Sequence, residues 1–391
     1  MIGVIDTGAT EGELSRLFLH KGSDSPDGAF KNQDEDGNGF VDDTYGTNIS
    51  TRRGFPATES SYGLHAHGTH VAGLVLGGLR SEALNRQVKA RIEVSLINLV
   101  SQRQELTSSS QLVYRFSIPL TNLIDAVAYA RKDPPIPILN LSVETGRRPD
   151  VFERAGLGEY LAIVAAGNSG ENIVDNTPYY PAASSLEFPK TVLTVGALAP
   201  DGTLASFSNR GAAAVAIAAP GCNVESTLPG GQTGPMSGTS QAAPQVTFAA
   251  ALLYSEGFAI DRVRNRLLAS AVRDDLPADQ VAYGRLDVIR ALQVNDDVVT
   301  IRNEKAPVEG LIQSPSCLNV AGSCLGWDRV LRIQAAAAGL LVYSQNNGGQ
   351  LQSRWTAVPS GRLKLRIGDD VRDVPWTDVT DVLLALRRPA T

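Results

Sequence analysis

Three short segments bring an acid, a base and a hydroxyl into one chain: Val4-Ile5-Asp6-Thr7-Gly8, then His67-Gly68-Thr69-His70-Val71-Ala72-Gly73, and much later Gly238-Thr239-Ser240-Gln241-Ala242-Ala243-Pro244. A serine hydroxyl is a weak nucleophile at neutral pH. It becomes a strong one when an imidazole takes its proton and a carboxylate holds that imidazole in the right tautomer. Asp6, His67 and Ser240 are therefore the catalytic candidates. A fourth segment, Ala165-Ala166-Gly167-Asn168-Ser169-Gly170, offers the Asn168 side chain as an oxyanion donor beside the Ser240 amide; losing one such donor costs roughly 3–4 kcal/mol. Singly, Asp6 reads as a turn residue, Asn168 as a turn or cap and Ser240 as a helix N-cap. Only their combination points to acyl transfer.

The elements that must position these groups follow from local pattern. Ile2 to Ile5 is too short for a helix and reads as a buried strand delivering Asp6 to its carboxyl edge. His67 precedes the apolar stretch Val71 to Leu76, and Ser240 precedes the segment 241–256, with Pro244 in its first turn and Gly257 after its end. Both are expected at helix N-termini, where the dipole favours developing negative charge. Strand-like runs recur at 91–99, 138–143, 160–166, 191–198 and 214–219. Helical patterns at 120–131 and, after an Asp N-cap candidate, at 261–271 are expected to pack on the sheet they form.

With their order and flanks, these motifs resemble the subtilisin-like serine peptidases (subtilases, peptidase family S8). The likeness runs over about the first 295 residues and includes Phe207-Ser208-Asn209, Ala219-Pro220-Gly221 and Tyr283-Gly284-Arg285-Leu286-Asp287. It implies an α/β fold with a doubly wound, mostly parallel sheet, a polypeptide substrate and an acyl-enzyme route. Asp6 orients, His67 is general acid and base, Ser240 is nucleophile and Asn168 binds the oxyanion. It also implies that substrate lies as an extra strand beside Asn140 to Glu144, which makes Ser142, Val143, Glu144, Ala166, Gly167 and Tyr179 the substrate-binding candidates. Where the family usually has glycine along the S1 pocket, this chain has Glu144 and Tyr179; an acidic wall there favours Lys or Arg at P1 unless Glu144 points into solvent. Family members normally carry sequence ahead of the catalytic Asp, so a propeptide, a separate N-terminal chain or a shortened start is expected. Two rival readings follow: a peptidase inactive without that partner, and a binding-only pseudoprotease.

Asp34-Glu35-Asp36-Gly37-Asn38-Gly39-Phe40-Val41-Asp42-Asp43 sets oxygen donors at alternate positions, the spacing a hard cation needs. Position twelve is Tyr45 where an EF-hand has Glu, so a complete EF-hand is excluded. Structural calcium on Asp34, Asp36, Asn38, the Phe40 carbonyl, Asp42 and Asp43 is expected, with a solvated acidic turn as the plain alternative. Three of the four histidines are His65, His67 and His70, but neither His-Glu-x-x-His spacing nor a thiolate cluster accompanies them, which argues against zinc. His70 reads as a hydrogen-bonded core residue, and His20 and His65 as solvated or loop positions.

At 391 residues, 43% hydrophobic, the chain has room for one large and one small domain. A net charge of −6 without a basic stripe gives no support for nucleic acid or anionic membrane. No apolar run reaches membrane-spanning length, and the chain as given opens without a signal peptide pattern. Cys317 and Cys324 bracket a short loop and read as a disulfide in an oxidising compartment or as two thiols, while Cys222 reads as buried and inert. An extracytoplasmic location is the expectation, a cytoplasmic one the alternative. The expected division is a peptidase domain over 1–295 and a small β-rich domain over 296–391, the latter a stabilising or docking appendage.

Overall fold

The computed structural model describes residues 1–9, 32–43, 46–54, 62–78, 92–106, 112–132, 135–149, 152, 160–174, 179–272, 276–293, 297–302, 308–314, 317–320, 323–326, 330–336, 339–345, 351–356, 362–367 and 370–383. The chain divides into two compact units. One comprises residues 1–256 and 274–285, the other 257–273 and 286–391.

The first unit follows an α/β order. Strands β1 (Ile2–Asp6), β2 (Gly46–Asn48) and β3 (Arg53–Gly54) lead to helix α1 (Tyr62–Val75), and β4 (Val94–Asn98), β5 (Ser101–Leu106) and β6 (Leu112–Ser117) to α2 (Leu120–Ala130). Then come β7 (Ile138–Leu141), β8 (Leu161–Ala165), β9 (Val192–Leu198), β10 (Val215–Pro220), β11 (Val224–Leu228), β12 (Gln232–Met236) and α3 (Thr239–Ser255). Eight strands form one sheet in the order β10-β9-β8-β7-β1-β4-β2-β3, parallel throughout except for the β2–β3 pair. The expected doubly wound, mostly parallel sheet is therefore present. β1, β4, β7, β8 and β9 are buried at every residue, which is why they read as continuous apolar runs: helices cover both faces. The strand order reverses around β1, and that switch point sets a crevice at the carboxyl end of β1, where Asp6 sits. The outer edge of β10 is closed by residues 282–285: Ala282 and Tyr283 donate to Val215 and Ala216, and Ala218 donates to Gly284.

The second unit holds α4 (Ile260–Ser270), α5 (Val288–Gln293), β13 (Asp297–Ile301), β14 (Val308–Ser314), β15 (Cys317–Val320), β16 (Ser323–Gly326), β17 (Val330–Ala336), β18 (Gly339–Gln345), β19 (Leu351–Thr356), β20 (Arg362–Ile367), β21 (Asp370–Pro375) and β22 (Val379–Leu383). Eight of the strands make an antiparallel sheet in the order β19-β18-β17-β22-β13-β14-β20-β21, and β15 and β16 form a separate hairpin. Val299, Ile333, Val342, Leu363, Leu365, Trp376 and Val382 fill its core.

Three expectations need correction. α4 packs with β17, β22 and α5, not on the parallel sheet, so the division falls at 257 and not near 295. Helical periodicity gives α4 its apolar face but does not say what meets it, and the buried Arg266, donating twice to the Ala291 carbonyl, ties α4 to α5. Asp261 lies inside α4 rather than capping it; Ala259 stands at the cap. His67 is the sixth residue of α1, not its opening residue, so no helix-end dipole acts on it.

Candidate active site

Asp6 ends β1 almost wholly buried at 1% exposure, and its Oδ1 stands 2.7 Å from His67 Nδ1. The same oxygen accepts the Thr7 amide at 2.7 Å, which fixes the carboxylate in the plane of the turn. His67 gets this close because α1 presses on the turn after β1. Gly68 donates to Thr7 Oγ1 at 3.2 Å, and a Cβ on Gly68 would stand 1.8 Å from the Gly8 carbonyl oxygen, so no other residue fits. The Asp6 charge raises the His67 pKa above its ordinary value, against the opposing effect of burial. With Nδ1 committed to Asp6, Nε2 is the nitrogen left to exchange a proton.

Ser240 is the second residue of α3, where helical amides have no partner within the helix. Pro244, four residues on, has no N–H to give the Ser240 carbonyl. That carbonyl instead accepts Ser142 Oγ at 3.1 Å. A buried relay stands behind Ser142: Thr247 Oγ1 donates to Asn140 Oδ1 at 2.9 Å, and Asn140 Nδ2 donates to Ser142 Oγ at 3.0 Å. The Ser240 backbone is thus anchored to the end of β7. Its hydroxyl donates to the Ser142 carbonyl at 3.4 Å, and among the described residues no hydrogen bond joins it to His67. The Asp6–His67 hydrogen bond is formed, while the Ser240 hydroxyl is turned to the Ser142 carbonyl.

Asn168 follows β8, and its Oδ1 accepts both the Thr239 amide at 2.8 Å and Thr239 Oγ1 at 2.9 Å. A carbonyl end held by a backbone N–H fixes which way the amide faces, so Nδ2 is left to donate next to Ser240. Asn209, fully buried, braces this loop from behind. Its Nδ2 donates to the Ala166 carbonyl at 2.9 Å, and its Oδ1 accepts the amides of Ser169 and Glu171 at 3.2 and 3.0 Å. Gly167, at φ +99°, has no room for a side chain, since a Cβ there would meet Asn209 Nδ2 at 2.4 Å. The sequence marked Phe207 to Asn209 only as a signature; Asn140 lay in the expected substrate segment without a role, and Thr247 was missed altogether. A short buried polar residue inside an apolar run was the one signal available.

The substrate-binding candidates fall on two segments leaving neighbouring strands. Ser142 and Val143 are buried after β7, and Ala166 and Gly167 are buried after β8. Glu144 is exposed, with its carboxyl raised above the usual range by partial burial. Tyr179 is half-buried, and its neighbour Tyr180 exchanges backbone hydrogen bonds with Thr145 at 2.6 and 3.2 Å. His70, wholly buried, places Nε2 2.9 Å from the Val224 carbonyl and 3.1 Å from that of Gly234, tying α1 to the hairpin that leads to Ser240; burial lowers its pKa.

In the acidic loop, Asp34 accepts the amides of Asn38 and Gly39, Asp36 accepts the Asn38 amide and Nδ2, and Asp42 accepts the Asn32 amide. Buried Asp43 accepts Tyr129 Oη at 2.6 Å, and Lys132 Nζ donates to the Asn38 carbonyl. Phe40 is buried with its ring edge-on to Tyr129. Among the described residues no three His, Cys, Asp or Glu side chains gather around a metal-sized space, and no helix is long and apolar enough to cross a membrane. His20 and the side chain of His65 lie outside the described residues, as do the side chains of Cys317 and Cys324; backbone pairing sets Cys317 opposite Gly326 and Cys324 opposite Asn319. Cys222 is a free thiol, half-buried where full burial was expected.

The family model described as "Subtilase family" matches residues 1–286. The thermophilic serine proteinase of Bacillus sp. (strain AK1) is 28% identical over 247 residues, covering 61% of this chain and 56% of that protein. Subtilisin E of Bacillus subtilis (strain 168) is 32% identical over 213 residues, 53% of this chain and 50% of that protein. The chain spans about half the length of these curated relatives. Among solved structures, a point mutant of the protease domain of PatA is 25% identical with a TM-score of 0.50, over 75% of this chain and 94% of that one.

Proposed function

Because the chain belongs to the subtilase family, we propose that it is a serine endopeptidase acting on extended polypeptide segments through Asp6, His67 and Ser240. The observation that carries this reading is the 2.7 Å Asp6–His67 pair, supported by an Asn168 whose carbonyl end is pinned one residue from Ser240. The Ser240 hydroxyl turns from the Ser142 carbonyl to His67 Nε2, gives up its proton and attacks the substrate carbonyl. The resulting imidazolium is stabilised by buried Asp6, and the oxyanion by Asn168 Nδ2 and the Ser240 amide. His67 then protonates the leaving amine as the C–N bond breaks. Water hydrolyses the acyl-enzyme by the same steps. Substrate pairs as a strand along 142–144 and 166–167, with Tyr179 at the margin.

The open contact between Ser240 and His67 favours one further reading, a peptidase that needs a propeptide or separate N-terminal chain to close its triad. Labelling the full chain with a fluorophosphonate tests both. Capture that disappears in Ser240→Ala supports autonomous catalysis. Capture only after an upstream segment is supplied supports partner dependence, and none in either state supports a binding-only pseudoprotease.

Calcium enters this proposal as a structural ion on the loop 34–43, with no part in the chemistry. Its support is donor chemistry alone: Asp34, Asp36, Asp42, Asp43, the Asn38 side chain and the Phe40 carbonyl lie within ten residues, while in the structure these carboxylates accept hydrogen bonds from the loop itself and from Tyr129 and do not gather around one point. Binding to the folded state alone would raise stability by about 2.7 kcal/mol at a hundred times the dissociation constant. A Tm several degrees higher in calcium than in EDTA is the expected result, and equal values would leave the loop closed by its own hydrogen bonds. An extracytoplasmic location belongs to the same proposal, resting on Cys317 and Cys324 as a disulfide; thiol labelling with and without reductant checks it.

A further inference from the structure

We propose that Glu144 makes this site select Arg or Lys at P1, the residue whose carbonyl is attacked, an inference that rests on the endopeptidase reading above. With substrate paired along 142–144 and 166–167 as proposed above, the P1 side chain runs between the segments that leave β7 and β8. Ser142 fixes the first of these beside the nucleophile, its carbonyl 3.4 Å from Ser240 Oγ. Asn168 fixes the second. Glu144 lies two residues beyond Ser142, and its carboxylate reaches across to the other wall: a Cβ on Gly167 would stand 3.1 Å from Glu144 Oε2. The carboxylate therefore lies over a residue that has no side chain to shield it.

Among the described residues no cation answers this charge. Among the described residues Glu144 makes neither a hydrogen bond nor an ion pair. The nearest cations in sequence are Arg147 and Arg148, and Arg148 is held 2.5 Å from Glu187. A partly desolvated carboxylate without a cation is destabilising by itself, and the arrival of a cationic side chain removes that penalty. A Leu or Phe side chain in the same space would bury the carboxylate further with no compensation. The preference thus comes as much from rejecting apolar residues as from attracting basic ones.

The test measures binding and labelling separately. Ser240→Ala and Ser240→Ala/Glu144→Gln forms of the full chain are titrated with peptides differing only in Arg or Leu at P1, and the Ser240-intact forms are labelled with fluorophosphonate. The expected result is Arg bound at least tenfold tighter than Leu, with the ratio falling towards one in the Gln form and partly kept in Glu144→Asp. Equal or tighter binding of Leu, an Arg preference that survives Glu144→Gln, or no binding of either peptide would overturn the proposal. Labelling of a chain that shows no Arg preference defeats this inference alone. Failed labelling with the Arg preference intact defeats autonomous catalysis and leaves the selection standing.

Discussion

His67 sits between two opposing influences, the charge of Asp6 and its own partial burial, and the charge dominates. A protonated imidazole cannot take the Ser240 proton, so under the proposed function hydrolysis is expected only as pH rises through the elevated His67 value. The acid limb of kcat/KM is expected above the ordinary histidine value of about 6.5. Asp6→Asn removes the raising cause and leaves burial, which lowers; the limb should move to lower pH while kcat falls by about ten-thousand-fold. A pH profile of both forms on one peptide checks this, and an unmoved limb would place the titration elsewhere. At this scale the short motifs around Asp6, Ser240 and Asn168 made their places legible, Asp6 at the end of β1, Asn168 just after β8 and Ser240 at the start of α3; the roles proposed for them and for His67 are read from the motifs. The sequence was a poor guide to Asn209 and Thr247, whose work is to satisfy backbone and side-chain groups far away in sequence, a pairing that only the fold reveals.

Among the elements, the loops after β7 and β8 are held by buried side chains as well as by backbone pairs such as Thr145–Tyr180 and Asn209–Gly167. Asn209→Ala would strip the Ala166 carbonyl and the amides of Ser169 and Glu171 of their partner. The expected cost is about 2–4 kcal/mol of stability, with a larger loss in kcat than in KM because Asn168 drifts from where the oxyanion forms. Thermal melts and steady-state kinetics read the two effects, and a change confined to KM would show that the loop does not position Asn168. The parallel strands were legible since both faces are covered and the runs stay apolar. The start of α1 was not: Gly63 and Gly68 interrupt the periodic pattern, and Gly68 is present for its close approach to Gly8, against helix propensity. The hairpin β11–β12 escaped notice because its strands carry Pro235 and several polar residues.

On the scale of the molecule, composition changes near residue 295, yet the structural division lies earlier and the chain crosses it three times, at 257, 274 and 286. A chain stopped after Asn295 would keep α4 and α5 but lose β17 and β22, against which α4 packs. Such a fragment is expected to bind a hydrophobic dye and to elute as aggregates, whereas the full chain does neither. A monomeric, dye-silent fragment would show that α4 does not depend on the C-terminal sheet. The antiparallel sheet itself was foreseeable from short alternating segments broken by turn residues. Its claim on α4 was not, because an amphipathic helix carries no record of its partner.

The segment 282–285 that closes the edge of β10 has a consequence in time. During synthesis β10 leaves the ribosome more than sixty residues before its cover, and the chain between them includes α3 with Ser240 and α4, which belongs to the other unit. For that interval β10 presents a bare strand edge, the kind of surface on which nascent chains cross-pair. The parallel sheet therefore reaches its finished, protected form only after the second unit has begun to emerge, so the fate of newly made molecules should depend on the pace of translation between residues 220 and 285.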